Sequence, residues 1–231
     1  MSPRYAVYFA PGKHSPWRTF GAHWLGRDEY DNTALAQPRL AGISPEALAS
    51  ITQEPRRYGF HATLKAPFRL TPGHDEQALV SRLKTLAHSL KPLPLGPLRL
   101  AALDSFMALT PDTPPAGLSA LAAACVQELD DLRAPLLQAE LARRRAEPLD
   151  AREAELLACY GYPHVMERFR LHMTLTGPVE PSMAQRVSDA VTPVTCRLNA
   201  ESPLWLDQLC LFVERTPGAP FLRLIDLKLQ P

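Results

Sequence analysis

The segment Phe60-His61-Ala62-Thr63-Leu64-Lys65-Ala66-Pro67-Phe68 returns 111 residues later as Leu171-His172-Met173-Thr174-Leu175-Thr176-Gly177-Pro178-Val179, so His-x-Thr-Leu-x-x-Pro occurs twice. Imidazole titrates near neutral pH, with one ring nitrogen able to give a proton and the other to take one. Two imidazoles facing one site can therefore divide acid and base work. At a phosphodiester, the neutral ring would take a proton from the attacking water, and the protonated ring would give one to the alkoxide departing on the opposite side of phosphorus. The hydroxyls of Thr63 and Thr174 would donate to the non-bridging oxygens, where negative charge is held. This chemistry needs no metal ion or other cofactor.

The elements that must carry these groups are strands. Both copies mix β-branched, aromatic and aliphatic residues over about five positions and close on Pro or Gly. Alternation then puts His61, Thr63 and Lys65 on one face and Phe60, Ala62, Leu64 and Ala66 on the other; His172, Thr174 and Thr176 likewise oppose Leu171, Met173 and Leu175. Extending each strand backwards adds Arg57 to the first row and Arg168 and Arg170 to the second. These cations, with Lys65 and Thr176, are candidate anion ligands, and Tyr58 and Tyr162 are candidates to stack on or hydrogen-bond a sugar or base.

Around the two strands the pattern is helix followed by antiparallel strands, twice. Tyr5 to Ala10, closed by Pro11-Gly12, reads as a first buried strand, and Lys13 to Asn32 as an irregular segment or lid. Ser44-Pro45 caps a helix, and Leu79, Leu83, Leu86 and Leu90 form the stripe of an amphipathic helix over 75–91 that leaves His88 exposed. Strands are expected at 98–100 and 105–109, and helices at 118–146, broken at Pro135, and at 150–160, the latter with an Asp150/Glu153 capping box. Ser182-x-x-Gln185 signals a short helix, and strands follow at 204–206, 209–213 and 221–229, with a turn at Thr216-Pro217-Gly218. Leu103-Asp104-Ser105-Phe106-Met107 is echoed by Leu206-Asp207-Gln208-Leu209-Cys210, and the two aspartates read as turn-capping residues. The expected fold is α+β: one bilobal domain over 1–231 with lobes of about 1–115 and 116–231, in which two antiparallel sheets with flanking helices are related by a pseudo-two-fold and line a central cleft.

Composition narrows the partners. A formal net charge of +1 gives no general field for long nucleic acid, so a small phosphorylated substrate fits better than a polynucleotide. Basic clusters are local, and in the Arg143-Arg144-Arg145 run Glu140 stands four residues before Arg144, as on a solvated helix face. Cys125, Cys159, Cys196 and Cys210 are scattered, without a Cys-x-x-Cys or a companion His at ligand spacing, so no zinc or redox site is expected. No run of 18 apolar residues occurs, and the six-residue apolar stretch after Arg4 is too short for a signal-peptide core; no membrane association and a cytoplasmic address are the expectation.

His61-Ala62-Thr63 and His172-Met173-Thr174, in the contexts Arg57-Tyr58-Gly59-Phe60 and Tyr160-Gly161-Tyr162-Pro163 with Phe169-Arg170-Leu171, resemble the two-histidine phosphoesterase superfamily of 2′-5′ RNA ligase-like proteins and cyclic phosphodiesterases. More narrowly they resemble the branch found with bacterial phosphonate-utilisation genes. The resemblance covers the whole chain. It implies a bilobal α+β fold and a metal-independent phosphodiesterase that opens a small cyclic phosphate, of a nucleotide or a phosphorylated sugar. The helical stretch 118–160 departs from the compact RNA-processing members. Two other readings are an RNA end-processing or ligase-like enzyme, which would bind RNA with strong salt dependence, and a non-catalytic nucleotide-binding module, whose binding would survive loss of either histidine.

Overall fold

Along β1 (Arg4–Phe9), Tyr5, Val7 and Phe9 enter the main hydrophobic core, while Ala6, Tyr8 and the following Ala10 enter a second cluster on the opposite face. A strand buried on both sides has to be central in its sheet, and β1 is. In the computed structural model, which describes residues 2–144 and 148–230, it pairs with β2 (Ala62–Phe68) on one side and with β8 (Gln208–Glu214) on the other. With β9 (Leu222–Lys228) they form a four-stranded sheet in the order β2-β1-β8-β9. A three-stranded sheet runs β4 (Leu98–Leu103), β5 (Phe106–Pro111), β6 (Met173–Pro178), and the short β3 (Leu93–Pro94) and β7 (Trp205–Leu206) pair with each other. Every one of these pairings is antiparallel.

Helices close the layers. α4 (Glu76–Ser89), capped by the Asp75 carboxylate on the Ala78 amide, buries Leu79, Leu83 and Leu86 and packs on β8 and β9; His88 stays exposed. α8 (Pro181–Glu201) packs on β4 and β5. Each of the two larger sheets takes strands from both sides of residue 115, so a division of the chain at that point does not coincide with a division between sheets.

Three segments differ from the sequence reading. The expected loop over 13–32 contains α1 (Pro16–Leu25), with Ser15 capping the Trp17 amide, Pro at the first helical position and Gly26 as a left-handed C-cap. Its buried Trp17, Gly21, Trp24 and Leu25 recur at helical spacing, a period masked by the unusual aromatic content. The helix expected to start at Ser182 is 21 residues long, is capped by Glu180 without a side-chain bond, and carries Pro193 inside it. The helix expected over 118–146 with a break at Pro135 is two short ones, α5 (Leu118–Gln127) and α6 (Gln138–Arg144), with no helix from 128 to 137. Of the other expected helices, α2 (Pro45–Ile51) has its Ser44 cap and α7 (Ala151–Tyr160) has both capping-box bonds. Arg145, and the helix end expected at Ala146, lie outside the described residues.

The N-terminal helices fasten one sheet to the other. The Trp24 indole N–H donates to the Leu175 carbonyl of β6 at 2.9 Å, and α3 (Gln53–Arg56) also packs on β6. At Gly21 a Cβ would fall 2.0 Å from Cγ of Phe60, the buried residue that precedes His61. Alanine is the better helix former by about 1 kcal/mol, but forcing a methyl into a packed site costs about 1–3 kcal/mol. Gly21→Ala should therefore lower the midpoint of chemical denaturation; a midpoint equal to or above that of wild type would show that Phe60 yields freely.

Candidate active site

His61 and His172 each occupy the position just before a strand, β2 and β6, where the chain has not yet entered the ladder. There the two rings make the same bond. His61 Nδ1 lies 2.8 Å from the Gly59 carbonyl and His172 Nδ1 lies 2.8 Å from the Arg170 carbonyl, in each case two residues upstream. A carbonyl can only accept, so both rings carry hydrogen on Nδ1, and Nε2 is left as the nitrogen that exchanges a proton. Thr63 Oγ1 stands 3.3 Å from His61 Nε2 and donates to it in this tautomer.

The two rings differ in surroundings. The His61 ring stacks on Tyr8 with centroids 3.8 Å apart, and Phe212 and Tyr58 flank it at 6.3 and 6.1 Å. Burial lowers its pKa to about 4, and the charges of His172 and Arg27 press the same way against the Gly59 carbonyl, which favours the cation. His172, beside Phe106 at 5.9 Å, is lowered less, first by burial and then by His164, with the Arg170 carbonyl opposing. His172 is thus near enough to His61 to act on its titration.

A buried scaffold holds the first histidine. Gly59 has φ of +82°, and a side chain there would press on Glu29, whose Cβ lies 3.0 Å from where a Cβ would sit. Arg27, 4% exposed, donates to the carbonyls of Arg56, Arg57 and Phe221 and so fixes the segment leading to His61. Burial brings the Arg27 pKa down to about 10, still far above neutrality, so it remains cationic beneath the site. Glu29 is in turn bonded by Arg18 and by the fully buried Arg223.

Several residues assigned to the polar rows from the sequence are engaged elsewhere. Lys65 is 3% exposed and donates to Asp130 and to the Val126 carbonyl at the end of α5, because α5 packs over the edge strand β2 and encloses that part of the row. Thr176 is fully buried, and its hydroxyl accepts the Met107 amide that a register shift between β5 and β6 frees from the ladder. Arg168 lies in a 3-10 turn after α7 and pairs with Asp150, and Arg57 follows α3 and is bonded to Glu214 and the Ala219 carbonyl; neither is on a strand, so backward extension of the rows fails at these turns. Tyr58 stacks on Phe221 at 5.3 Å next to His61, and Arg170 is exposed and lends its carbonyl to His172. Tyr162 meets His164 edge-on at 5.4 Å, with the Arg144 guanidinium 4.9 Å over its ring. Thr174 faces Ala108 across the β5–β6 ladder and is partly exposed.

Tyr8 and Arg27 are the side chains at this site that sequence reading passes over. Tyr8 sits inside an unbroken apolar strand, and nothing local marks it as the ring on which His61 stacks. Two cavities are lined by neighbouring elements, neither of them by a histidine. One of about 380 Å³ lies between the β4–β5 turn and the start of α8 and shares Phe106 with His172; the other lies under α5 and α7 beside Lys65 and Tyr162. Among the described residues no group of three or more His, Cys, Asp or Glu side chains is arranged to hold a metal ion, and no helix is long and apolar enough to cross a membrane.

Comparison with known proteins places this geometry in context. The chain is 41% identical over 227 residues to a protein of Janthinobacterium sp. (strain Marseille) named ribose 1,5-bisphosphate phosphokinase PhnN, covering 94% of this chain and 49% of that one. It is 38% identical over 224 residues to a protein of the same name from Laribacter hongkongensis (strain HLHK9), covering 94% and 50%. The chain thus spans about half the length of these curated relatives. Residues 63–222, which include Thr63, His172 and Thr174, match the family described as protein of unknown function (DUF1045), and the chain belongs to that family.

Proposed function

We propose that the protein is a metal-independent phosphodiesterase of the two-histidine type that hydrolyses a small cyclic phosphate of phosphoribosyl type, in phosphonate metabolism. The observation that carries this reading is the matched pair of imidazoles, each fixed through Nδ1 to the carbonyl two residues upstream and each with a threonine two residues downstream. The element order supports a pseudo-two-fold: β2, α4, β3 and the β4–β5 hairpin answer to β6, α8, β7 and the β8–β9 hairpin, each hairpin joins the sheet of the other histidine's strand, and β3 pairs with β7. The relatives' name concerns ribose 1,5-bisphosphate, a phosphoribosyl compound. Their kinase activity we assign to the half that this chain does not cover, because Gly-x-x-x-x-Gly-Lys-Ser/Thr, the loop that cradles nucleotide phosphates in many kinases, occurs nowhere in its 231 residues.

His61, with the lower pKa, is the base: it takes a proton from water as the water oxygen attacks phosphorus. His172 is the acid: it gives its proton to the ring oxygen as the P–O bond breaks, leaving a phosphate monoester and a free hydroxyl. On substrate binding the Thr63 hydroxyl turns from His61 Nε2 to a non-bridging oxygen, which leaves Nε2 to the water. Thr174 donates to the same phosphate, and Tyr58, beside His61, contacts the sugar or its substituents, with Tyr162 and Arg170 as further contacts. ³¹P NMR of the protein with a panel of cyclic phosphates tests the reaction class, and a panel left intact sinks it.

His61→Ala and His172→Ala should each lower turnover by about 10² to 10⁴, and the double variant should fall far short of the product of the two losses because the residues act together. Thr63→Val and Thr174→Val should cost less, about ten- to two-hundredfold for one hydrogen bond to a charged oxygen. Normal folding and unchanged ligand affinity in both histidine variants, with no turnover by wild type, would favour a binding module. Because both proton transfers are supplied by imidazole, activity should persist in EDTA; loss restored by a divalent ion would mark a metal hydrolase.

The titrations set the pH dependence. A base works only when unprotonated, so kcat/KM should rise through about pH 4 as His61 loses its proton; an acid works only when protonated, so it should fall again below pH 6.5, where the lowered His172 titrates. The optimum for free enzyme and substrate is therefore mildly acidic, and the kcat profile moves to higher pH because bound phosphate favours both cations. An alkaline limb of kcat/KM above pH 8 would rule out this assignment.

A further inference from the structure

Beyond the histidines, the face of the four-stranded sheet that carries Tyr8 holds a second concentration of positive charge. Along β1 the residues Arg4, Ala6 and Tyr8 share one face by alternation, and Arg4 is directly opposite Glu214 of β8. Glu214 is 1% exposed and accepts bonds from Arg4 Nε, from an Arg57 Nη nitrogen and from the Gly218 amide. Burial alone pushes its carboxyl up, but these bonds outweigh it and hold the group ionised. One carboxylate therefore neutralises one of two guanidiniums, leaving a net positive charge. Glu140 also acts on Arg4, but it is paired with Arg69 at 2.7 Å.

These guanidiniums are fixed in place. The Arg4 and Arg57 Cζ atoms lie 5.8 and 6.0 Å from the centroid of the same Phe221 ring, and that of Arg57 lies 5.4 Å from Tyr58. Arg4 commits Nε, and Arg57 commits Nε and one Nη, to protein acceptors; among the described residues their other N–H groups meet no protein acceptor. The same floor runs to the histidine: Phe221 stacks on Tyr58 and neighbours Tyr8, on whose ring His61 rests. Both guanidiniums also act on the Tyr8 phenol, favouring its ionised form against burial.

We propose that Arg4 and Arg57, held by Glu214, form a second anion subsite on the aromatic cluster that neighbours His61, so that the substrate carries two phosphates: the cyclic diester at the histidines and a terminal phosphate monoester at the arginines. This rests on the phosphodiesterase reading for the first phosphate only. Two planar guanidiniums with uncommitted N–H groups suit the several oxygens of a terminal phosphate, and the partly exposed Tyr58, against Arg57 and beside His61, is the surface on which the sugar joining the two groups would lie.

The test compares a ribose cyclic phosphate with and without a phosphate at its 5 position, in wild type, Arg4→Gln and Arg57→Gln. Wild type should prefer the doubly phosphorylated compound, mainly through KM, and each variant should shrink that preference by roughly 10- to 100-fold. Arg4→Lys, which keeps a cation on Glu214 without the planar fork, should fall between. Calorimetric titration with ribose 5-phosphate, which needs no turnover, should show binding to wild type and at least tenfold weaker binding to Arg4→Gln, with thermal melts confirming that the variant is folded. A wild type that binds ribose 5-phosphate no better than ribose, or a preference unchanged in folded variants, overturns the subsite. Loss of ribose 5-phosphate binding in Arg4→Gln with no turnover of either cyclic phosphate by wild type upholds the subsite and sinks the phosphodiesterase reading.

Discussion

The ladder between β1 and β8 is the constraint on which the rest depends. It registers Arg4 with Glu214 and Tyr8 with Cys210, joining the first strand of the chain to a strand some 200 residues away. Without it β1 has one open edge, the face carrying Ala6, Tyr8, Phe212 and Phe221 has no floor, and Arg27 loses the Phe221 carbonyl through which it spans to the His61 segment. Backbone pairing of this kind requires the intervening chain to be gathered before any hydrogen bond rewards it. The sheet with β6 is built the same way, from strands about 70 residues apart, so neither half of the chain completes a sheet alone.

Two histidines with one local geometry acquire different acidities from that assembly. Each Nδ1 is tied to a carbonyl two residues upstream, an arrangement that short sequence fixes by itself. What separates them is the ring beneath: Tyr8 covers His61 and withdraws water from it, whereas Phe106 stands farther from His172. Desolvation penalises the cation in proportion to burial, and the His61 pKa falls to about 4. The different acidities of near-identical motifs thus come from what packs on them.

The helices from Leu118 to Tyr160 close one end of the same site. α5 lies on β2, and Asp130 just beyond it draws Lys65 into a nearly enclosed ion pair. The Lys65 pKa is lowered, first by burial, with Asp130 restoring part of the loss. A buried pair of this sort adds little net stability but leaves a costly unpaired charge if one partner is removed, so it fixes where the helical segment sits. Tyr162 follows from the same docking, because the chain leaves α7 at the left-handed Gly161 and turns back beside β2.

Local chemistry made much of this legible from the sequence. The paired His-x-Thr motifs, the Ser44 cap, the Asp150/Glu153 capping box and the leucine stripe of α4 are interactions within a few residues, and the structure contains each of them. Alternation also located the strands, but not their neighbours. It put Lys65 and Thr176 on rows with the histidines, and nothing local says that α5 covers the first or that a shifted ladder needs the second to accept the Met107 amide. For the same reason Arg4, Tyr8 and Arg27 were illegible: each gains its place from a partner more than 25 residues away, Glu214, His61 and the Arg57 carbonyl respectively. The sequence by itself determined which groups could exchange protons, because side-chain identity and tautomer are local. Only the tertiary structure decided which of them meet, and at what acidity, because burial and pairing across the β1–β8 ladder depend on the whole chain being folded.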